Sequence, residues 1–218
     1  MRVSLFRRIV HPALLGACLL AAGQAGAARA QGTVPAANPD WPCFSPLRRH
    51  IDPALLWSGP LPPKGADWRK DAPVAALIAE IVPRDRSLAK AEAKLEAFIK
   101  SLPKAGRKAR LTLLFAGLFQ ESARERTRVI ERIEALTARQ RSLSLRIAKV
   151  SEEAGAVPQD NATADTVAGA RQKLVFQRNL MIHIFKSMQA TMRYACDVPP
   201  AIVARLAHFA QIIQAHMN

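Results

Sequence analysis

The sequence has few aromatic residues and little glycine, and this scarcity argues against an all-β fold. Aromatic side chains make up 6% of the 218 residues, with a single tyrosine and ten glycines. Sandwiches and barrels need more strand-forming and turn-forming residues than this. Beyond residue 30, no uncharged apolar run reaches the roughly 18 residues that a transmembrane helix requires. We therefore expect an all-α protein with no membrane-spanning helix after residue 30.

Recognisable catalytic motifs are also missing. The sequence contains no GxSxG, HExxH, P-loop or GxGxxG pattern and only five histidines. Nucleophilic, zinc-dependent and nucleotide-dependent chemistry therefore lack their usual residue sets. No second acidic or basic residue at a suitable spacing accompanies Asp40, Asp52 or Asp67, so the sequence predicts no acid–base pair there. We expect a protein that is not an enzyme, with no catalytic residue, no metal ligand and no cofactor.

The first 30 residues have the layout of a bacterial secretory signal peptide. The segment begins with a basic region that ends at Arg7 and Arg8, and an apolar core follows over residues 9–22. Residues 28–30 read Ala-Arg-Ala, which is a small-x-small cleavage site. This layout predicts cleavage after Ala30 and export to the periplasm.

The three cysteines have two different expected roles. Cys18 ends a loose lipobox over residues 15–18, so attachment to lipid is the alternative to cleavage, although the apolar core continues past this cysteine. Cleavage leaves Cys43 and Cys196, and an even pair in an oxidising compartment predicts one disulfide. A reactive thiol or a metal pair is the other interpretation, but no CxxC and no nearby histidine ligand accompanies either residue. The bridge would contribute at most about 5 kcal/mol.

Residues 31–73 are rich in proline and tryptophan. They hold nine of the fifteen prolines and all three tryptophans, Trp41, Trp57 and Trp68. This density of proline excludes long helices and predicts an extended or turning segment, which we call the wrap. We expect the tryptophan side chains to bury their rings and to fix the wrap on a helical body.

Two short helices are predicted after the wrap. Pro73 in the first turn and Pro83 after the end bound a helix over 72–82. Ser87 is a suitable N-cap for a second helix over 87–102, whose apolar residues lie on one side.

Two much longer helices follow. Only a lone Gly117 interrupts the helix-forming residues over 108–153, which predicts one helix roughly 67 Å long at 1.5 Å per residue. A compact domain formed by the residues after residue 30 would have a radius of gyration of about 16 Å, so this helix must project from the body. We expect a second long helix over 165–195, a stop at residues 199–200 (Pro-Pro), and a last helix over 201–216.

Apolar residues recur every three or four positions on both long helices, which predicts an antiparallel coiled-coil hairpin. We expect Gln140 to face Gln177 and Leu143 to face Leu174. We favour this register because it pairs the two glutamines, and a buried amide without a partner costs about 1–3 kcal/mol. The other expected pairs are Val150–Val167, Ile147–Ala170, Leu136–Met181, Ile133–Ile184 and Val129–Met188.

The predicted fold is therefore all-α, a small helical bundle with a long antiparallel coiled-coil hairpin arm and an extended N-terminal wrap. The expected division is a signal peptide over 1–30, the wrap over 31–73, and a bundle over 74–218 that includes the arm at about 122–195. The pattern leaves open whether the seam is filled within one chain or by a neighbouring copy, so the oligomeric state stays open as well.

The predicted arm is basic. Residues 124–195 carry thirteen Lys and Arg against seven Asp and Glu, in a chain of formal net charge +15. Such a surface attracts acidic protein faces, envelope polyanions or membrane head groups. The alternative is a solvated coiled-coil surface whose charges pair along the helix. We expect no nucleic-acid partner outside the cytoplasm. The candidate binding residues are Arg128, Arg132, Arg139, Arg141, Arg146, Lys149, Arg171, Lys173 and Arg178.

Soft metal ligands occur on the second long helix. Met181, Met188, Met192 and His183 are residue types that copper accepts. Methionine at seam spacing is, however, a common filler of helix interfaces, and His183 lies off the seam. Core packing is therefore the favoured interpretation.

Residues 136–141, LTARQR, resemble the LTxxQ element of periplasmic stress chaperones of the Spy type. Only one copy is present, whereas that family usually carries two. Thr137 and Gln140 also fit a capping box, which would place a helix break here. The continuous apolar periodicity favours an unbroken helix.

Several longer stretches resemble a family of exported α-proteobacterial helical proteins that has no established activity. The stretches are DWPC at 40–43, LWSGP at 56–60, LFAGLF at 114–119, the Arg-rich run at 124–141, and CDVP at 196–199. This resemblance covers most of the chain after residue 30. It implies export and the pairing of Cys43 with Cys196, and it implies nothing about chemistry.

The leading hypothesis is a non-enzymatic periplasmic interaction protein whose basic hairpin engages an acidic envelope surface or protein partner. A holdase or stress chaperone, similar to the Skp or Spy type only in architecture, is the alternative. An envelope enzyme and a copper carrier are further alternatives.

Overall fold

The computed structural model describes residue 38, residues 40–157 and residues 164–217, with no side chains described for 164–168. The predicted signal peptide, its cleavage site after Ala30 and the lipobox cysteine Cys18 lie outside the described residues. The side chain of Val167, which we expected to face Val150, also lies outside them.

Over the described residues all regular secondary structure is helical and no strand is present, which confirms the predicted fold class. Two 3-10 turns in the wrap, Pro53–Leu55 and Trp68–Lys70, precede the α-helices. The α-helices are α1 (Ala72–Ile81), α2 (Leu88–Ser101), α3 (Arg107–Ala156) and α4 (Ala164–Ala215).

Local signals set the bounds of the short helices. The carboxylate of Asp71 accepts a hydrogen bond from the Val74 amide and caps α1, and Pro83 follows its end. Ser87 is the N-cap of α2 by position, although its side chain makes no capping hydrogen bond. Both helices therefore lie where the sequence predicts them, because proline and cap residues act through local geometry.

The core of the body forms where α1, α2 and the wrap meet the first turns of α3 and the last turns of α4. Leu118 of α3 and Phe209 of α4 are among its fully buried members. The Trp57 ring stacks on Phe115 with centroids 4.2 Å apart. The Trp68 indole N–H donates a hydrogen bond of 3.0 Å to the side chain of Gln120. The tryptophans thus anchor the wrap by area burial and by satisfied ring N–H groups.

Gly117 lies inside α3 where the helix packs closely against the wrap and α1. A Cβ added there would lie 2.8 Å from Cδ2 of Trp68 and would also meet Ile78. The lone glycine is therefore needed because α3 approaches the wrap and α1 without room for a side chain.

The disulfide between Cys43 and Cys196 is formed, with a Cα–Cα distance of 5.4 Å, which confirms the predicted pairing. It attaches the start of the wrap to α4. The surrounding residues form a second apolar cluster, which we call the base of the arm. Its buried members are Val129, Ile133, Met192 and Ile202.

The predicted stop at Pro199 and Pro200 is wrong, because α4 continues through both prolines to Ala215. The two prolines remove the amide donors that would bind the carbonyls of residues 195 and 196, at a cost of about 3 kcal/mol each. Packing on both sides offsets this cost. Met192 and Ile202 join the base cluster before and after the prolines. Arg205, one turn further on, donates to the carbonyl of Ile81 at 2.9 Å.

The arm consists of residues 122–156 of α3 and residues 164–195 of α4. On α3, the residues that form the seam between the two helices are the predicted ones. Val129 and Ile133 are buried, and the later seam positions of α3, including Gln140 and Leu143, are half-buried. Thr137 donates to the carbonyl of Ile133 at 2.9 Å inside an unbroken helix, so there is no capping break at the LTxxQ element.

The predicted seam of α4 is wrong by one position along part of its length. Gln177, Ile184 and Thr191 are exposed, whereas the next residue in each case is half-buried or buried. The buried or half-buried positions of α4 in the arm that alternate by three and four are Arg171, Leu174, Arg178, Met181, Phe185, Met188, Met192 and Ala195.

The predicted register fails together with that seam. Ile133 packs in a cluster with Met192 rather than against Ile184, and Gln177 is solvated instead of paired with Gln140. Exposure lets water satisfy the Gln177 amide, so no amide pair is needed. Phe185 and Met192 offer a larger apolar area to the seam than Ile184 and Thr191.

Candidate functional site

Four of the predicted binding residues form one continuous edge of α3. Arg128, Arg132, Arg139 and Arg146 are exposed and follow one another at steps of four, seven and seven. Since an α-helix advances by about 100° per residue, these steps keep all four within an arc of about 40°. We call them the Arg edge. None of them forms an ion pair with any residue in the described part of the chain.

The opposite edge of α3 is occupied by the wrap. Glu134 accepts hydrogen bonds from Arg49 at 2.6 Å and from the side chain of Asn38 at 2.7 Å. Arg141 forms an ion pair with Asp40. Arg141 was predicted as a binding residue, but here it attaches the wrap to α3. Glu134 and Arg141 are seven residues apart and therefore lie on the same edge, which we call the wrap edge.

The other predicted binding residues have different surroundings. Arg171 and Arg178 are half-buried along the seam, and Arg178 donates to the side chain of Asn179 at 3.3 Å. Lys149 is exposed and lies 3.9 Å from Glu153. Lys173 is exposed on α4. The structure thus separates the nine residues into the Arg edge, one wrap anchor, two seam residues and two single lysines.

Close to the body, next to the Arg edge, an acidic side chain of α3 forms an ion pair with a residue of the body. Arg84, in the turn between α1 and α2, bonds to Glu125 at 2.5 Å. A groove of about 350 Å³ between this turn and α3 is lined by Glu125, Arg128 and Arg132 among others. The carboxylate of Glu125 is therefore already paired with the body, whereas Arg132, Arg139 and Arg146 further along the arm have no ion-pair partner among the described residues.

An apolar ridge on α4 is the feature that sequence reasoning missed. Phe176, Leu180 and Ile184 follow at steps of four, and their side chains are 69%, 51% and 43% exposed. We call these three residues the ridge. The signal is present in the sequence, since α4 carries two apolar stripes, but the predicted seam includes Ile184 and so hides the second stripe. A contiguous apolar row on a projecting element marks an interaction surface.

The ridge and the Arg edge lie on the same side of the arm. On α4, the ridge residues are rotated by about 120–160° from Cys196, which is bonded to the wrap. On α3, Arg139 is rotated by about 160° from Arg141, which also binds the wrap. Both features therefore face away from the wrap. We call this surface the open face, formed by Arg132, Arg139, Arg146, Phe176, Leu180 and Ile184.

Arg126 is the one cation buried in the arm. It is 8% exposed, its Nη1 donates to the carbonyl of Arg49 at 3.3 Å, and its Nε has no partner. Burial lowers the pKa of its guanidinium below the ordinary value. This residue ties the wrap to the base of the arm from inside and is not available to an external partner.

The residues considered for copper are dispersed. Met192 is buried in the base cluster, Met181 and Met188 are half-buried along the seam, and His183 is exposed. Within the described ranges, no group of three or more His, Cys, Asp and Glu side chains is placed to hold a metal ion.

In the portion of the chain that the structure describes, no helix has the length and apolarity needed to cross a bilayer. No protein-family model, no curated protein and no solved structure matches the chain.

Proposed function

We propose that the chain is a non-enzymatic, exported interaction protein whose basic arm engages an acidic surface of the cell envelope or an acidic protein partner. The observation that supports this proposal is the Arg edge, with four exposed guanidinium groups that lack counter-charges among the described residues. Nearer the body the same helix has charges that are paired, as Glu125 is with Arg84. The unpaired row is therefore the part of α3 that is free for an anionic ligand.

We propose that the protein acts in the periplasm after cleavage behind Ala30. The order of basic, apolar and small residues over 1–30 supports this location. The disulfide between Cys43 and Cys196 is compatible with it, because such bridges persist in oxidising compartments. The resemblance to exported α-proteobacterial proteins supports it further.

A charge-reversal experiment tests the role of the Arg edge. The pair Arg139→Glu with Arg146→Glu changes two residues of the Arg edge. The pair Lys186→Glu with Arg193→Glu is the matched control, since it makes the same change in net charge at exposed positions of α4 away from the open face. Binding is measured by cosedimentation with isolated bacterial envelopes, at salt concentrations from about 50 to about 300 mM.

We expect the Arg-edge variant to bind at least tenfold more weakly than the wild type at low salt, and the control to bind within about twofold of it, because ion pairs depend on local geometry. Binding by the wild type should also weaken as the salt concentration rises. Equal losses in both variants, or no binding by the wild type, would overturn the proposal.

A holdase chaperone is the second candidate function, and the ridge is the observation that favours it. Exposed Phe176, Leu180 and Ile184 could cover apolar segments of an unfolded client beside the cationic edge. A holdase at stoichiometric ratio must suppress the aggregation of an unfolded outer-membrane protein. Normal aggregation in the presence of the protein, with envelope binding intact, would exclude this function and leave the first.

A further inference from the structure

We infer that the open face binds the surface of an anionic phospholipid bilayer, with the ridge entering the interfacial region and the Arg edge contacting lipid phosphates. This inference rests on the proposed function, since it names the acidic surface that the arm engages. It uses the two features that the structure places side by side, Arg132, Arg139 and Arg146 on α3 and Phe176, Leu180 and Ile184 on α4.

The composition of the open face matches an interfacial surface. Helices that lie in the plane of a membrane combine Phe and Leu on the immersed side with Lys and Arg at its border. Here the apolar residues lie on one helix and the arginines on the other, and both point away from the wrap. Lys173 is exposed on α4 beside the ridge and adds one more cation there.

The ridge projects outward, which favours a deformable partner. Phe176 keeps 69% of its surface exposed, and Leu180 keeps 51%. A protein partner would have to offer a groove that fits these side chains, whereas the interfacial region of a bilayer admits them without a preformed cavity. The long stems of the arginines allow their guanidinium groups to remain at the level of the phosphates.

Charge argues against a second copy of this chain as the occupant. Two copies that met through their ridges would bring their Arg edges close together, and the six residues of the open face include no carboxylate that would offset the repulsion. A bilayer that contains anionic lipid has the opposite sign of charge and attracts each basic residue near its surface.

Vesicle cosedimentation of the full chain tests the inference. Vesicles of phosphatidylglycerol and phosphatidylethanolamine supply the anionic surface, and vesicles of phosphatidylcholine supply a neutral one. The ridge variant is Phe176→Ser with Leu180→Ser. Its matched control is Phe44→Ser with Leu145→Ser, which removes the same two residue types from exposed positions elsewhere. All proteins carry the same N-terminal segment, so differences between them report on the arm.

We expect the wild type to bind anionic vesicles at least tenfold more strongly than neutral vesicles. The ridge variant should lose at least tenfold in affinity for anionic vesicles, and its control should stay within about twofold of the wild type. Equal binding of the ridge variant and the wild type would overturn the insertion of the ridge. Equal binding to both kinds of vesicle would overturn the role of anionic lipid.

The outcomes also separate this inference from the proposed function. If the wild type binds native envelopes through the Arg edge but ignores pure anionic vesicles, the partner is an acidic protein or another polyanion, and only the lipid inference is overturned. If the wild type binds neither envelopes nor vesicles, the proposed function fails as well. Binding to vesicles that is lost in both the Arg-edge variant and the ridge variant supports both proposals.

Discussion

The body and the arm are built from the same two helices, yet the helices are buried in different ways. In the body, α3 is packed against α1, α4 and the wrap, and residues such as Leu114 and Leu118 have no exposed surface. In the arm, α3 meets α4 along one stripe, and residues such as Leu143 are only half-buried. Burial on several sides fixes the body, whereas a single seam leaves most of the arm surface free for partners.

The largest expected effect of a substitution is therefore in the body. Leu118→Ala should lower the free energy of unfolding by about 2–5 kcal/mol, because it leaves a cavity in a fully packed core. Leu143→Ala in the arm removes a half-buried side chain and should cost less than half as much. Urea unfolding followed by circular dichroism measures both. A larger loss for Leu143→Ala would refute the contrast.

The disulfide should have the next largest effect, because it joins the wrap to α4 across 153 residues. Replacing both cysteines by serine should lower the free energy of unfolding by about 2–4 kcal/mol, chiefly because the unfolded chain gains conformational entropy when the cross-link is removed. Reduction of the wild type must give the same midpoint of unfolding as the double variant. A midpoint unchanged by either treatment would show that the bridge does not hold the wrap in place.

Two glycines of α3 sharpen the comparison because they should respond with opposite sign. Gly117→Ala should destabilise the body by about 1–3 kcal/mol, since the new Cβ meets Trp68 and Ile78. Gly155→Ala lies at the far end of the arm, where the added Cβ would meet no atom within 4 Å beyond its own helix backbone, and should stabilise by about 0.5–1 kcal/mol. Thermal unfolding measures the change in stability of each variant. A change of the same sign in both variants would contradict the packing described.

The smallest effect distinguishes the two edges of α3. Glu134→Gln removes the carboxylate that binds Arg49 and should cost up to about 1 kcal/mol, because that pair is partly exposed. Arg132→Gln should change stability by less than about 0.5 kcal/mol, since Arg132 has no partner to lose. If Arg132→Gln destabilises as much as Glu134→Gln does, the Arg edge contributes to the fold and is not reserved for a ligand.

The sequence predicted those features that depend on local or strongly periodic signals. The bounds of α1 and α2 were predicted from Pro73, Pro83 and Ser87, and the seam of α3 was predicted from its apolar repeat. The pairing of Cys43 with Cys196 follows from their number and the expected compartment. Each of these signals lies in a few residues and needs little knowledge of distant contacts.

The features of α4 were harder to predict because they depend on tertiary contacts. The cost of Pro199 and Pro200 is offset by packing at the base of the arm and by Arg205, which no local pattern reveals. The seam was misplaced because α4 carries a second apolar stripe at helical spacing. The glutamine argument failed because it assumed that Gln177 is buried, whereas water solvates it.

The continuity of α3 and α4 from the body into the arm has a mechanical consequence. No loop separates the two regions on either helix, since α3 runs unbroken over Arg107–Ala156 and α4 continues through Pro199 and Pro200 over Ala164–Ala215. A force applied to the arm is therefore transmitted through two helical rods into the tightly packed residues around Leu118 and Phe209. Attachment of the open face to a surface would thus set the orientation of the whole body relative to that surface, rather than tether it loosely.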